Sequence, residues 1–515
     1  MDPIRLEVFR HLFASVAEEM GAVLMRTAFS ANIKERRDLS CAVLSADAET
    51  IAQAEHIPVH LGSVPLSARA VLDELELRPG DTVVLNDPYC GGTHLPDLTA
   101  VTPVFWKKRL ELLVVNRAHH ADIGGSAPGS MGLTRHVIEE GLRIPPLKVV
   151  SQGERVRDVW ALLLANVRTP DERAGDLESQ LAANAAGVQR LHEMLERYGQ
   201  KELQAAGAAL RDHAETKMRA LIRELPRGRF EFEDVLDDDG LGHKDVPIRV
   251  RLTIKKDELV FDFTGSSPQV PGSLNANRAI TLSAVFYVLR LLASDDLPAN
   301  SGLLRPVHLI LPARSIVNAE FPAPVAGGNV ETSQRIVDVV LGALAKAIPE
   351  RIPAASAGTM NNVAFGGSVS GRPFTYYETI AGGMGARPGL DGLSAVQTHM
   401  TNTLNTPIEA FETAFPVRVE SYRIRRGSGG AGRHRGGDGI EKTLRFLEDV
   451  DLSLLSERRT HPPYGLAGGE PGAPGENVLR RGRQEEVLPG KCRIDVRAGD
   501  CLILETPGGG GHGTR

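Results

Sequence analysis

Two short stretches of this 515-residue sequence gather the residue types that bind metal ions and move protons. The first, NDPYCGGTHLPDLTAVTPVF at residues 86–105, carries His94 and Asp97 just past a turn rich in Pro and Gly. The second, NRAHHADIGG, carries His119, His120 and Asp122. Imidazole nitrogens and carboxylate oxygens together make a mixed donor set for a divalent transition-metal ion, with no thiolate needed. A mixed set that leaves a coordination position open is the catalytic kind of site, whereas structural zinc is usually closed by Cys and His. A lone H-x-x-D is common and carries little by itself. Two His/Asp clusters brought face to face carry much more.

A hairpin would bring them together. DTVVLND reads as a short strand, and LTAVTPVFWKKRLELLVVNRA as two apolar runs flanking a polar KKR. With the turn centred on Lys107-Lys108, opposed residue numbers sum to about 215, the pattern of a two-residue hairpin loop. Asp97 then faces Ala118 or His119, with opposed side chains about 5 Å apart. The expected metal region therefore lies at one end of an antiparallel sheet, covered by helices, with the helical pair at 169–223 standing apart from it.

Other candidates are weaker. His56 and His60 in EHIPVH have the i, i+4 spacing of a helical metal pair, but Pro58 interrupts such a helix. They read as core residues or as support behind a site. Asp38, in the charged run NIKERRDLS, carries no signal of its own. Cys41 and Cys90 lie near the motifs, yet a lone Cys is usually a small buried hydrophobe. Gly327-Gly328 precede a helix, where an anion can bind, although an ordinary cap and tight turn explains them better. Neither a GxSxG elbow nor a GxxxxGKS/T phosphate loop occurs.

Hydrophobic residues make up 42% of the chain and charged residues 24%, with a net charge of −6. That is an ordinary soluble composition, without the basic stripe of a nucleic-acid binder. Cys41, Cys90, Cys492 and Cys501 form no CxxC pair and suit a reducing cytosol. The N-terminal MDPIRLEVFRHLFASVAEEM has a helical period and acids, unlike a signal peptide. No apolar run approaches the roughly 18 residues of a membrane span. The expectation is a cytoplasmic, multidomain α+β protein with antiparallel sheets, helical layers and a β-rich C-terminal part, because so long a chain exceeds one core. Its regions divide as 1–165, an α/β region carrying the metal site; 166–227, a helical pair; 228–350, an antiparallel meander plus helices; and 351–515, Gly-rich and β-rich. TPDER offers Thr169 as N-cap, Pro170 at the first helical position and Glu172 beyond, a capping box. The terminal PGGGGHGTR reads as a mobile end.

At these motifs the sequence resembles the hydantoinase B/oxoprolinase family. The matching stretches run nearly end to end: RRDLSCAVL, HIPVHLGSVP, GDTVVLNDPYCGGTHLPD, AHHADIGG, EEGLRIPP, NVRTPDERAGDL, GNVETSQRIVD, TNTLNTPIE, SGGAGRHRGGDG and ETPGGGGHG. The resemblance implies one divalent metal ion, zinc or manganese, on Asp38, His94, Asp97 and His119. Asp38 enters through the resemblance alone. His120 and Asp122 match the motif as well and are assigned to catalytic support, as neighbours of the ligands or substrate contacts. The resemblance further implies a hetero-oligomer with a hydantoinase A-type ATPase subunit, which uses ATP-Mg to phosphorylate the carbonyl oxygen of a small cyclic amide. The reaction implied is ring opening of a hydantoin, 5-oxoproline or lactam. The alternative is a subunit of an acetone- or acetophenone-type carboxylase. No nucleic-acid or membrane partner is expected.

Overall fold

The computed structural model describes residues 1–54, 56–293 and 297–515. Its site-bearing sheet contains β1 (Leu39–Ser45), β2 (Thr50–Ala54), β3 (Thr82–Leu85), β4 (Asp97–Trp106), β5 (Arg109–His119), β6 (Leu147–Ser151) and β7 (Glu154–Arg155). Their order is β2-β1-β5-β4-β3-β6-β7, and every pairing is antiparallel. The near-continuous apolar character of β4 and β5 follows from burial on both faces.

One face is covered by helix α1 (Pro3–Thr27), where Phe9, Phe13, Met20 and Leu24 pack on Val43 and Val114. The other face meets α2 (Val64–Glu74), whose Val64, Ala68 and Val71 pack on Val83, Val101 and Val115. The hairpin turns at Lys107 and Lys108, whose φ values are 48° and 68°, as a two-residue loop matched to strand twist requires. Asp97 pairs with His119. A bulge between Val104 and Phe105 fixes which of the two expected partners is met.

Gly199, at φ 80°, separates α3 (Pro170–Tyr198) from α4 (Gln200–Glu224). This pair does not stand apart from the sheet. Gln180 of α3 donates to Leu98 O at 2.8 Å and to Asn116 Oδ1 at 2.9 Å, and Asn184 donates to Ala100 O at 3.1 Å. Buried amides thus bolt α3 across β4 and β5, because their donors need partners once water is excluded. Thr169 is the N-cap residue with Pro170 following, but its hydroxyl makes no capping bond. Glu172 turns instead to Arg173.

The meander appears as β8 (Gly228–Asp238), β9 (Lys244–Ile254) and β10 (Leu259–Asp262), with β11 (Val307–Ile310) added in parallel to β10. Helices α5 (Arg278–Leu292) and α6 (Ser333–Ala347) share the large apolar core on this sheet. The C-terminal part holds β12 (Asn362–Val369) and β13 (Arg372–Glu378) in a four-stranded sheet, beside a five-stranded sheet that includes Val417–Arg425 and Gly439–Phe446. The whole is an α+β fold. Among the described residues, no helix is long and apolar enough to cross a membrane.

The glycine-rich tail is packed rather than mobile. Gly509, Gly510 and Gly511 donate to Gly437 O, Ala355 O and Glu470 O at 2.8–2.9 Å. A Cβ on Gly509 or Gly510 would lie 2.1 Å from Met384 O or Tyr464 O. The backbones approach so closely that only glycine fits.

Candidate metal centre

The turn after β3 presents His94, the first residue of β4 is Asp97, and the last of β5 is His119. Strand pairing therefore delivers the three side chains to one point at the sheet end. His94 Nε2 lies 3.2 Å from His119 Nδ1 and 3.2 Å from Asp97 Oδ1, and His119 Nδ1 lies 3.3 Å from Asp97 Oδ1. All three residues are buried.

Donors bound to one ion at about 2.0–2.2 Å sit about 3.0–3.5 Å from one another. The observed triangle has that size. Asp97 Oδ1 is buried with no hydrogen-bond partner among the described residues, an expensive condition for a carboxylate oxygen unless something fills the centre. The donor set therefore fits a divalent ion.

The protonation states also suit ligation, which needs deprotonated donors. Burial alone would raise the Asp97 pKa, but His94 and His60 hold the carboxyl well below the usual range. Burial pushes His119 down, toward neutral imidazole.

Neighbouring side chains orient the donors. Asp97 Oδ2 accepts from the Thr93 hydroxyl at 2.5 Å and lies 3.3 Å from His60 Nε2, while His60 Nδ1 is 3.0 Å from Ser40 Oγ. His60 is thus support behind the site. Tyr377, on β13, stacks on His119 with centroids 4.7 Å apart. The Arg36 guanidinium lies 4.9 Å from the Tyr377 ring and donates to Tyr377 O at 2.6 Å.

Asp38 precedes β1, and its carbonyl accepts the His119 N–H at 3.1 Å. It lines the same small cavity as the triangle, but its carboxylate is outside the group whose donor atoms all lie within 4.8 Å of one another. The cavity measures about 20 Å³, room for about one water.

His120 and Asp122 do not line this cavity. Consecutive residues leaving a strand point to opposite faces, so His120 enters the α3 interface, with Nε2 2.9 Å from Gln180 Oε1. Burial there lowers its pKa to about 4, despite the Asp176 carboxylate. Asp122 accepts from Arg168 N at 2.9 Å, Arg168 Nη1 at 2.7 Å and Gly124 N at 3.2 Å. It clasps a loop.

Sequence reasoning missed Thr93, Tyr377, Arg36 and Asn329. Gly327-Gly328 lead into a π-helical turn, Gly328–Thr332, that sets Asn329 and Val330 in the cavity wall. The nearby Val325 and Ala326 N–H groups are taken by Glu140, at 3.1 and 2.9 Å. Burial pushes the Glu140 pKa up to about 7.

The model of the hydantoinase B/oxoprolinase family matches residues 2–515. Arabidopsis thaliana 5-oxoprolinase 1 is 41% identical over 100% of this chain, which spans 42% of that protein's length. A putative D-/L-hydantoinase subunit of Pseudomonas sp. (strain NS671) is 34% identical, with 100% of this chain and 90% of that protein covered. Among solved structures, ATP-dependent caprolactamase from Pseudomonas jessenii superposes with a TM-score of 0.94 at 32% identity, covering 100% of this chain and 91% of that one. Acetone carboxylase shares the fold, with a TM-score of 0.91 at 18% identity, covering 99% and 76%.

Proposed function

The chain belongs to the hydantoinase B/oxoprolinase family, and on that premise we propose that it is the metal-bearing subunit of an ATP-dependent cyclic-amide hydrolase. The observation that carries the reading is the triangle of His94 Nε2, Asp97 Oδ1 and His119 Nδ1. These three residues would hold one divalent ion, zinc or manganese, and Asp38 would complete the set. Bound there, the ion would supply Lewis acidity and bring the pKa of a water toward neutrality.

The chain's own residues prepare the site. Thr93 and His60 anchor one Asp97 oxygen and leave the other free. Tyr377 fixes the plane of the His119 ring. Burial lowers the His119 pKa, favouring neutral imidazole, and excludes bulk water. An unstrained amide is a poor electrophile. Phosphorylation of its carbonyl oxygen by an A-type ATPase subunit, using ATP-Mg, makes that oxygen a leaving group. Water then attacks the carbon and the ring C–N bond breaks, with the nitrogen leaving as the amine and an acyl phosphate remaining; a second water releases phosphate and the carboxylate.

Hydrolysis is favoured over ketone carboxylation by the likeness to caprolactamase at 32% identity, against 18% for acetone carboxylase. The test is an assay of the purified chain with and without an A-type subunit. ATP turnover and ring opening should appear only together with that subunit. ATP hydrolysis by the chain alone, or bicarbonate incorporation into a ketone, would contradict the reading.

A further inference from the structure

Beside the small metal cavity lies a second, open pocket of about 620 Å³, the size of a small-molecule site. Two chain segments separate the two spaces. In the segment at 57–61, Ile57, Val59 and His60 line the inner cavity, and Pro58 and Leu61 line the outer pocket. In the segment at 399–403, Met400 and Thr403 line the inner side, His399 and Asn402 the outer, and Thr401 lines both. The segments are tied by a bond from Val59 N to Met400 O at 3.3 Å and one from Asn402 Nδ2 to His56 O at 3.2 Å. The wall is one residue thick.

The outer pocket has a chemical character of its own. Leu61, Leu292, Leu341 and Ile352 give it a buried apolar floor, and Arg351 and Arg387 stand exposed at its rim. Also on the floor is His399, buried, whose Nε2 has no hydrogen bond among the described residues and lies 3.8 Å from Asp338 Oδ1. Its backbone is held at φ 57°, a strained conformation for a non-glycine residue that tends to persist at functional sites. An apolar floor suits the methylenes of a small ring. Guanidinium groups at the rim suit an anionic phosphoryl group.

We propose that this outer pocket is the binding site for the activated substrate, a small ring bearing an anionic phosphoryl group, which reaches the metal cavity past Thr401. The proposal rests on the hydrolase reading above, and it goes further by placing the substrate in a pocket that shares only a wall with the metal cluster. It explains how an inner cavity with room for about one water can serve a larger substrate: the ring and its phosphoryl group rest mainly in the outer pocket, and the edge of the ring that carries the reacting carbon turns toward the inner cavity at Thr401.

The test uses the full chain and two probes, inorganic phosphate and the neutral five-membered cyclic amide 2-pyrrolidone, with binding followed by saturation-transfer NMR at millimolar concentration. Both probes should bind the wild-type chain. Arg351→Ala combined with Arg387→Ala should weaken phosphate about tenfold or more, as loss of charge-assisted bonds does, and leave 2-pyrrolidone unchanged. Thr398→Trp, which fills the outer pocket alone, should abolish 2-pyrrolidone binding. His119→Ala should leave both probes bound. The two arginines are exposed, so their replacement decides the matter even if the tryptophan variant fails to fold. Phosphate binding that survives the double arginine change, probe binding lost in His119→Ala, or no binding by the wild-type chain would each overturn the proposal. Metal content of the same samples separates this outcome from failure of the hydrolase reading, which concerns the cluster and not the pocket.

Discussion

Thr93→Val is the most telling conservative change near the triangle. Thr93 is fully buried, and its hydroxyl donates to Asp97 Oδ2 at 2.5 Å. Valine keeps the shape and removes the donor. Among the described residues, Asp97 Oδ2 would then retain His60 Nε2, at 3.3 Å. A hydrogen bond to a charged group contributes about 1.5–3 kcal/mol, or roughly 10- to 150-fold in an equilibrium constant. Loss of a group that orients a metal ligand costs about 10- to 100-fold in metal affinity. The two routes to the magnitude agree. Affinity is measured by competition with a chelating dye, after circular dichroism establishes that the variant is folded. Thr281→Val is the control, because the Thr281 hydroxyl is equally buried but donates to Val317 O at 2.6 Å, away from the cluster. Wild-type affinity in Thr93→Val, or an equal loss in Thr281→Val, would refute the claim that Thr93 positions a metal ligand.

Two further outcomes follow from buried groups. Burial, reinforced by the Glu457 carboxylate, raises the Glu331 pKa from 4.5 to about 8. The unfolded chain therefore ionises this group first, so the stability tied to its proton is full below about pH 4.5 and lost as pH rises through about 8. Glu331→Gln should melt like wild type at the acid end of that window and higher at the alkaline end; parallel melting curves across it would contradict this. Gly328→Ala would place a Cβ 1.9 Å from Asn275 O, and should destabilise the chain by about 1–3 kcal/mol or more in chemical denaturation; unchanged stability would show that the turn has room to relax.

What the sequence revealed depended on how local the cause was. The 97–119 pairing was legible because a polar turn between two apolar runs fixes a hairpin's register within one residue. The bulge at Val104 decided the last step, and no residue type announces it. Asp38 could not be found by spacing, since its place beside His119 depends on β1 pairing with β5, which β2, α2, β3 and β4 separate along the chain. Tyr377 stacks on His119 from another sheet, a contact between distant parts of the chain that no local period encodes. The helical pair at 169–223 reads as standing apart from the sheet, but Gln180 and Asn184 bolt α3 to it through buried amide bonds that no helical period encodes. The tail's glycines looked like disorder because composition reports missing side chains, not the close backbone packing that their absence permits.

The measurement that bears most directly on the central claim is the metal content of the purified chain by elemental analysis, for wild type, His119→Ala and His120→Ala. One divalent ion per chain is expected in the wild type, with its loss in His119→Ala and its retention in His120→Ala, whose ring faces Gln180 rather than the triangle. Metal retained at full content in His119→Ala, or lost in His120→Ala alone, would contradict the assignment of the ligands.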